Sequence, residues 1–148
     1  MSEEYTIVKV RRLRSNAILP RRATPGSTGL DLFACIEGDQ DSSLGTKPKL
    51  IGTGIAIEVP AGCDVQIRPR SGLSSRGVGV TFGTVDCDYR GEVMVTMYLF
   101  SPDLAHEVKH GDRIAQMVIG RIADVALVEV EELTSTDRGG GGHGSTGR

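Results

Sequence analysis

The chain has 148 residues, 39% of them hydrophobic and 24% charged, with Lys+Arg 17 against Asp+Glu 19 and a net charge of -2. That length suits one domain with a real core, and the weak negative charge disfavours bulk electrostatic binding to nucleic acid or an anionic membrane. No apolar run approaches the roughly 20 residues that span a bilayer. The opening MSEEYTIVKV lacks an apolar h-region, so no secretory signal is expected and a cytoplasmic location is. Cys35, Cys63 and Cys87 are widely spaced without a C-x-x-C, and read as free thiols of a reducing compartment.

In chain order the segments are short, alternating or β-branched. Strands are predicted over Tyr5–Val10, Leu30–Ile36, Ile55–Val59, Val65–Ile67, Val93–Phe100, Ile114–Ile119 and Val125–Val130. Pro60-Ala61-Gly62 marks a turn. Gly38–Pro48 reads as a polar surface loop. Ser71–Arg76 suits one short helix with Ser71 as its N-cap. Thr134–Arg148 is too glycine-rich to bury a core and reads as a flexible tail. Short strands separated by turn signals predict an all-β sandwich or barrel.

Five segments carry residues suited to chemistry. In Arg68-Pro69-Arg70-Ser71-Gly72-Leu73, a capped turn between arginines suits an anion, or is an ordinary capped turn. In Gly83-Thr84-Val85-Asp86-Cys87-Asp88-Tyr89-Arg90-Gly91-Glu92, carboxylates surround one ring. A carboxylate there could activate water, and the flat ring could support a sugar or base; the alternative is a polar hairpin turn. In Gly111-Asp112-Arg113-Ile114-Ala115-Gln116, strand alternation puts Ile114 and Gln116 on one face, and Gln116 needs a hydrogen-bond partner if buried. The tail joins Arg138 to four glycines and His143-Gly144-Ser145-Thr146-Gly147, whose amides could wrap polyphosphate, although no Lys makes it a Walker A loop. Asp31, between Leu30 and Leu32, either faces solvent or faces a metal. His106 and His110 are four apart, but a third zinc ligand is not evident.

In this order the five segments resemble the five motifs of the homotrimeric dUTP pyrophosphatases (dUTPases). The match runs from Gly29-Leu30-Asp31-Leu32 to Gly144-Ser145-Thr146-Gly147, with P-R-S-G-L, V-D-x-D-Y-R-G and R-G-x-x-G-H-G-S-T-G as its specific parts. The resemblance implies a jelly-roll-like β domain over 1–133, with at most one short helix, and a flexible C-terminal arm over 134–148 that closes over the nucleotide. It implies a homotrimer whose three sites are each built from all three subunits. The implied reaction is Mg²⁺-dependent hydrolysis of dUTP to dUMP and pyrophosphate by attack of water on the α-phosphorus. Such a reaction keeps uracil out of DNA and supplies dUMP for thymidylate synthesis. By the same resemblance the backbone of Gly83, Thr84 and Val85 reads uracil in a slot too tight for a 5-methyl group. Tyr89 packs where a 2′-hydroxyl would clash, and Met94 also contacts substrate. Arg70, Ser71, Gly72 and Gln116 of a second subunit hold phosphates. The third subunit's arm places Arg138, Ser145 and Thr146 on the γ-phosphate, with His143 stacked on uracil and Gly144 beside it. Asp86 is the implied general base, and Asp31 reaches Mg²⁺ through water, the metal being held mainly by substrate phosphates.

The chain departs from the family pattern in three places. Val80 stands where some members carry Asn, which leaves uracil to backbone readout. His143 stands where Phe is frequent, and a charged imidazole would stack differently at low pH. Thr28 replaces a more usual Ala. Two alternatives share the scaffold: a dCTP deaminase, whose catalytic Glu has no counterpart in Val93-Met94-Val95-Thr96-Met97, and a non-catalytic nucleotide-binding module. A nucleic-acid-binding barrel is disfavoured by the charge and the few aromatics.

Overall fold

The structure, a computed structural model, describes residues 4–147. Along the chain run β1 (Lys9–Arg12), β2 (Leu30–Phe33), β3 (Ser43–Leu44), β4 (Lys49–Gly52), β5 (Ile55–Glu58), β6 (Cys63–Arg68), α1 (Ser71–Ser74), β7 (Val78–Val80), β8 (Gly83–Val85), β9 (Met94–Leu99), β10 (His106–Glu107) and β11 (Arg113–Arg121). All pairings are antiparallel. The larger sheets run β2-β11-β6-β8 and β4-β9-β7, and the smaller ones pair β1 with β5 and β3 with β10. The fold is all-β with a single helical turn, as the jelly-roll expectation requires.

Period-two patterning builds the core. In β9, Val95, Met97 and Leu99 point inward, and in β6, Val65 and Ile67 do so. They join Leu32, Leu44, Ile51, Ile55, Ile57, Ile114 and Met117 in one apolar cluster fed by all four sheets. Each fully buried side chain of this kind contributes roughly 1.5–3 kcal/mol. In β11 a register shift between Arg113 and Ala115 breaks the alternation. Ile114 and Ala115 are therefore both buried, and Gln116 falls on the opposite face from Met117, not beside Ile114 as strict alternation predicts.

Other expectations are corrected. The first strand starts at Lys9 instead of Tyr5, and the second ends at Phe33. The Gly38–Pro48 loop contains β3 and buries Ser42 and Leu44. The helical turn is capped by Arg70 in extended conformation without a side-chain cap bond; Ser71 is already helical, and the Ser75 hydroxyl bonds the Gly72 carbonyl instead. The strand over Val125–Val130 does not form. Its residues are exposed, Leu127 at 96%, and it has no pairing partner among the described residues. An alternating sequence needs a neighbouring strand to complete its ladder. Among the described residues no helix is long and apolar enough to cross a membrane.

Candidate active site

Strand β8 forms the end of its sheet, pairing with β6 through Val65↔Val85, Gln66↔Thr84 and Ile67↔Gly83. An edge strand leaves one row of backbone donors and acceptors open. After it the chain turns back through Asp86–Glu92, with the Tyr89 amide bonded to the Asp86 carbonyl at 3.0 Å. Gly83, Thr84, Val85, Asp86, Tyr89 and Met94 all line one open cleft of about 210 Å³, together with Ile67, Glu92 and Val93. Six residues singled out in the sequence thus meet in one place. Tyr89 is half exposed, and its hydroxyl donates to the Glu92 carbonyl at 3.1 Å.

Two arginines brace this turn. Arg90 donates to the carbonyls of Cys87 (2.7 Å) and Tyr89 (3.2 Å) and pairs with Glu58 at 3.2 Å. Lys9 also pairs with Glu58, at 2.7 Å. The Lys9 hydrogen bond, then the charges of Lys9 and Arg90, hold the Glu58 carboxyl below its ordinary value. On the other side Arg14 Nη2 lies 2.5 Å from Glu92 Oε1. That oxygen is buried, and the adjacent guanidinium charge is what offsets its burial. Arg14 Nε donates to Cys35 Sγ at 3.4 Å, and the thiol donates to Asn16 Oδ1 at 3.2 Å. The bond to Cys35 outweighs burial and, with the charge of Glu92, raises Arg14 above the ordinary arginine value.

A second cluster sits on the neighbouring strands. Cross-strand register aligns Asp31 with Gln116 and Gln116 with Arg68. Asp31 is buried, so its side chain does not face open solvent. Its carboxylate lies 3.4 Å from Arg70 Nε and 3.6 Å from Arg113 Nη1, ion-pair distances beyond good hydrogen bonds. Arg70 also donates to the Arg113 carbonyl at 3.1 Å, and Gln116 Nε2 to the Pro69 carbonyl at 2.9 Å. Arg70 and Arg113 line a cavity of about 220 Å³ with Leu73, Arg76, His106, Asp112 and Ile114. Ser71 and Gly72 are exposed at the start of the helical turn. This cavity shares no lining residue with the Tyr89 cleft. His110 accepts the Ile36 amide at Nδ1, a structural use of that side chain.

The arm is not brought to either cavity within one chain. Arg138 Nε bonds the Gly141 carbonyl at 2.7 Å, and further turns close from Gly141 to Arg138 and from Ser145 to Gly142. Arg138, His143, Gly144, Ser145 and Thr146 are exposed. Sequence reasoning missed Arg14, Ile67 and Arg113. Arg113, beside Gly111-Asp112, was visible as a charge entering an apolar strand; Arg14 belongs to the basic stretch Lys9–Arg14, whose sequence reads as a solvated face, whereas its guanidinium is packed against Glu92 and Cys35.

Comparison with known proteins agrees with this geometry. The sequence model of the dUTPase family matches residues 15–147. A deoxyuridine 5'-triphosphate nucleotidohydrolase of Neorickettsia sennetsu is 48% identical over 136 residues, 87% of each chain. One of the same name from Nautilia profundicola is 46% identical over 144 residues, 95% of this chain and 99% of the relative. A Staphylococcus bacteriophage 80alpha dUTPase G164S mutant, solved with dUpNHpp, superposes with a TM-score of 0.84 at 24% identity, covering 96% of this chain and 99% of that one. With the family motifs running through nearly the whole chain and a fold to match, this chain belongs to the dUTPase family.

Proposed function

We propose that the chain hydrolyses dUTP to dUMP and pyrophosphate in sites shared between three copies, so limiting uracil in DNA and supplying dUMP. The observation that carries this reading is the single cleft lined by Gly83, Thr84, Val85, Asp86, Tyr89 and Met94 beside an open strand edge. The open backbone groups of β8 suit the donor and acceptor edge of uracil. The Tyr89 ring forms the wall against the deoxyribose. Asp86 takes a proton from the water that attacks the α-phosphorus, and pyrophosphate leaves.

Arg70, Ser71, Gly72 and Gln116 hold the phosphates. Because the cavity that Arg70 lines is separate from the Tyr89 cleft in one chain, with Ser71 and Gly72 exposed next to Arg70 and Gln116 bonded to the Pro69 carbonyl, we assign these four to the site of a neighbouring copy. The exposed apolar run Ile122, Val125, Leu127, Val128, Val130 and Leu133 supports assembly, since association would cover it. The arm over 134–148 then closes a third copy's site, with Arg138, Ser145 and Thr146 on the γ-phosphate and His143 and Gly144 over uracil. Closure excludes water and strengthens the electrostatics inside.

The donor chemistry fits a hydrated Mg²⁺ better than a protein-held one. No group of three or more His, Cys, Asp or Glu among the described residues could hold a metal ion, and Asp31 offers one carboxylate already balanced by Arg70 and Arg113. Magnesium keeps several waters and binds substrate phosphates, so Asp31 would orient its waters. When bound, the ion would neutralise phosphate charge.

The test is chromatographic product analysis after incubation with Mg²⁺ and, separately, dUTP, dCTP, dTTP or UTP. Conversion of dUTP alone to dUMP and pyrophosphate is expected. Deoxyuridine products from dCTP would point to deamination, and no turnover of any nucleotide to a binding module.

A further inference from the structure

We infer that Arg14, which lies outside all five motifs, is a specificity-determining positioning residue: through Glu92 it fixes the Tyr89 ring and so sets how strictly the cleft refuses a ribonucleotide. The inference rests on the proposed role of Tyr89 as the wall against the sugar.

The Tyr89 ring folds back over its own turn. Its hydroxyl bonds the Glu92 carbonyl, and a Cβ at Gly91 would sit 2.5 Å from Tyr89 Cζ. The ring therefore needs a bare residue 91 beneath it and a fixed peptide at 92. The 92–93 peptide is held by the Val93 amide, which donates to the Ile55 carbonyl at 2.8 Å, and the Glu92 side chain, 19% exposed, adds a second tie through its carboxylate 2.5 Å from Arg14. The space for that pair comes from Gly52, where a Cβ would lie 2.7 Å from Glu92 Oε2 and 2.9 Å from Arg14 Nη2. Arg14 is in turn held by Cys35, a core residue 1% exposed, which bonds Asn16. A continuous line of contacts thus runs from the core to the ring: Cys35, Arg14, Glu92, Tyr89, with the exposed Asn16 accepting from the Cys35 thiol. Arg90 fixes the peptides of Cys87 and Tyr89 at the other end of the turn.

Rejecting a 2′-hydroxyl is a steric task, and a wall performs it only if it does not yield. A ring free to swing outward would admit the extra oxygen. Without Arg14 the Glu92 carboxylate has no counter-charge in its buried setting and turns toward solvent, so the 92–93 peptide keeps only its bond to Ile55 and the cleft wall that Glu92 lines beside Tyr89 loosens.

The experiment compares kcat/KM for dUTP and for UTP in the wild type, Arg14→Gln, Arg14→Lys and Gly91→Ala. The Gly91 variant keeps the test decisive if loss of Arg14 prevents folding. Gly91 is not among the left-handed residues, so alanine strains no backbone there, and the added methyl simply displaces a half-exposed ring. The expected result is a dUTP:UTP preference lowered about tenfold in Arg14→Gln and Gly91→Ala, mostly through KM, with Arg14→Lys in between. An unchanged preference in Gly91→Ala and in the folded Arg14 variants would overturn the inference, as would an equal loss for both nucleotides. Tyr89→Ala separates the two levels. If it loses the preference while the other variants keep it, only the role of Arg14 fails; if Tyr89→Ala keeps it, the sugar-wall reading fails and this inference with it.

Discussion

The turn over 83–94 and the arm over 134–147 carry comparable numbers of proposed substrate contacts but are built in opposite ways. The turn is tied to the body at both ends: Arg90 to Glu58 and β5, Glu92 to Arg14 and the Cys35 core. The arm's turns are closed by its own hydrogen bonds, Arg138 to Gly141 and Ser145 to Gly142. The first region is preorganised, so its contacts cost little entropy when a nucleotide arrives. On the proposed function the second is ordered by binding, and its contacts then report on whether the right polyphosphate is present.

The largest effect should come from breaking the preorganised side at its chemistry. Asp86→Asn is expected to lower turnover by about 10²–10⁴-fold while nucleotide still binds, the range for loss of a general base. Near-normal turnover would remove Asp86 from that role. Truncation from Gly139 onward should come next. Loss of closure is expected to cost about 10²-fold in turnover, whereas the melting temperature without nucleotide should hardly move, because the arm buries no core. A large fall in that temperature would show that the arm stabilises the body.

A weaker effect is expected between the two regions, on the exposed apolar run. Leu127→Asp should raise the dissociation constant of the proposed trimer about tenfold or more, since one buried leucine is worth roughly 1.5–3 kcal/mol. Light scattering across a dilution series would measure it, and an unchanged constant would exclude Leu127 from the interface. The smallest effect concerns the brace itself. Pairing with Lys9 and Arg90 lowers the Glu58 pKa from its ordinary 4.5. Its contribution is therefore complete above that value and is lost as pH falls through the lower folded value. Glu58→Gln should reduce stability slightly at neutral pH and flatten the loss of melting temperature below about pH 4.5. An unaltered acid limb would show that the pairing adds nothing.

The sequence disclosed these two regions unequally. In Val93–Phe100 a short apolar run correctly predicted a strand, and Met94–Leu99 forms one, but that Val95, Met97 and Leu99 are its inward residues shows only in the fold. The same signal in Val125–Val130 misled, because a short apolar run says nothing about which strand supplies the partner. The turn residues were legible because Gly83 to Met94 is one continuous stretch that folds onto itself. Asp31 was ambiguous because its partners come from distant segments, Arg70 from the cap of the helical turn and Arg113 from β11. Arg14 was misread for the same reason: its meaning lies in Glu92 and Cys35, neither near it in the chain. Sequence local to a site is readable, while the ion pairs that hold the site in place are made at long range.

The claim that one region is built in and the other supplied by a neighbour has a direct test. Asp86→Asn chains and chains truncated at Gly139 would be co-expressed with different tags, and mixed trimers purified through both. Each parent should be nearly inactive. If the arm closes the site of another copy, mixed trimers will regain dUTP turnover, because an intact Asp86 and an intact arm meet across subunits. If mixed trimers stay as inactive as the parents, arm and base act within one chain, and the shared-site account is wrong.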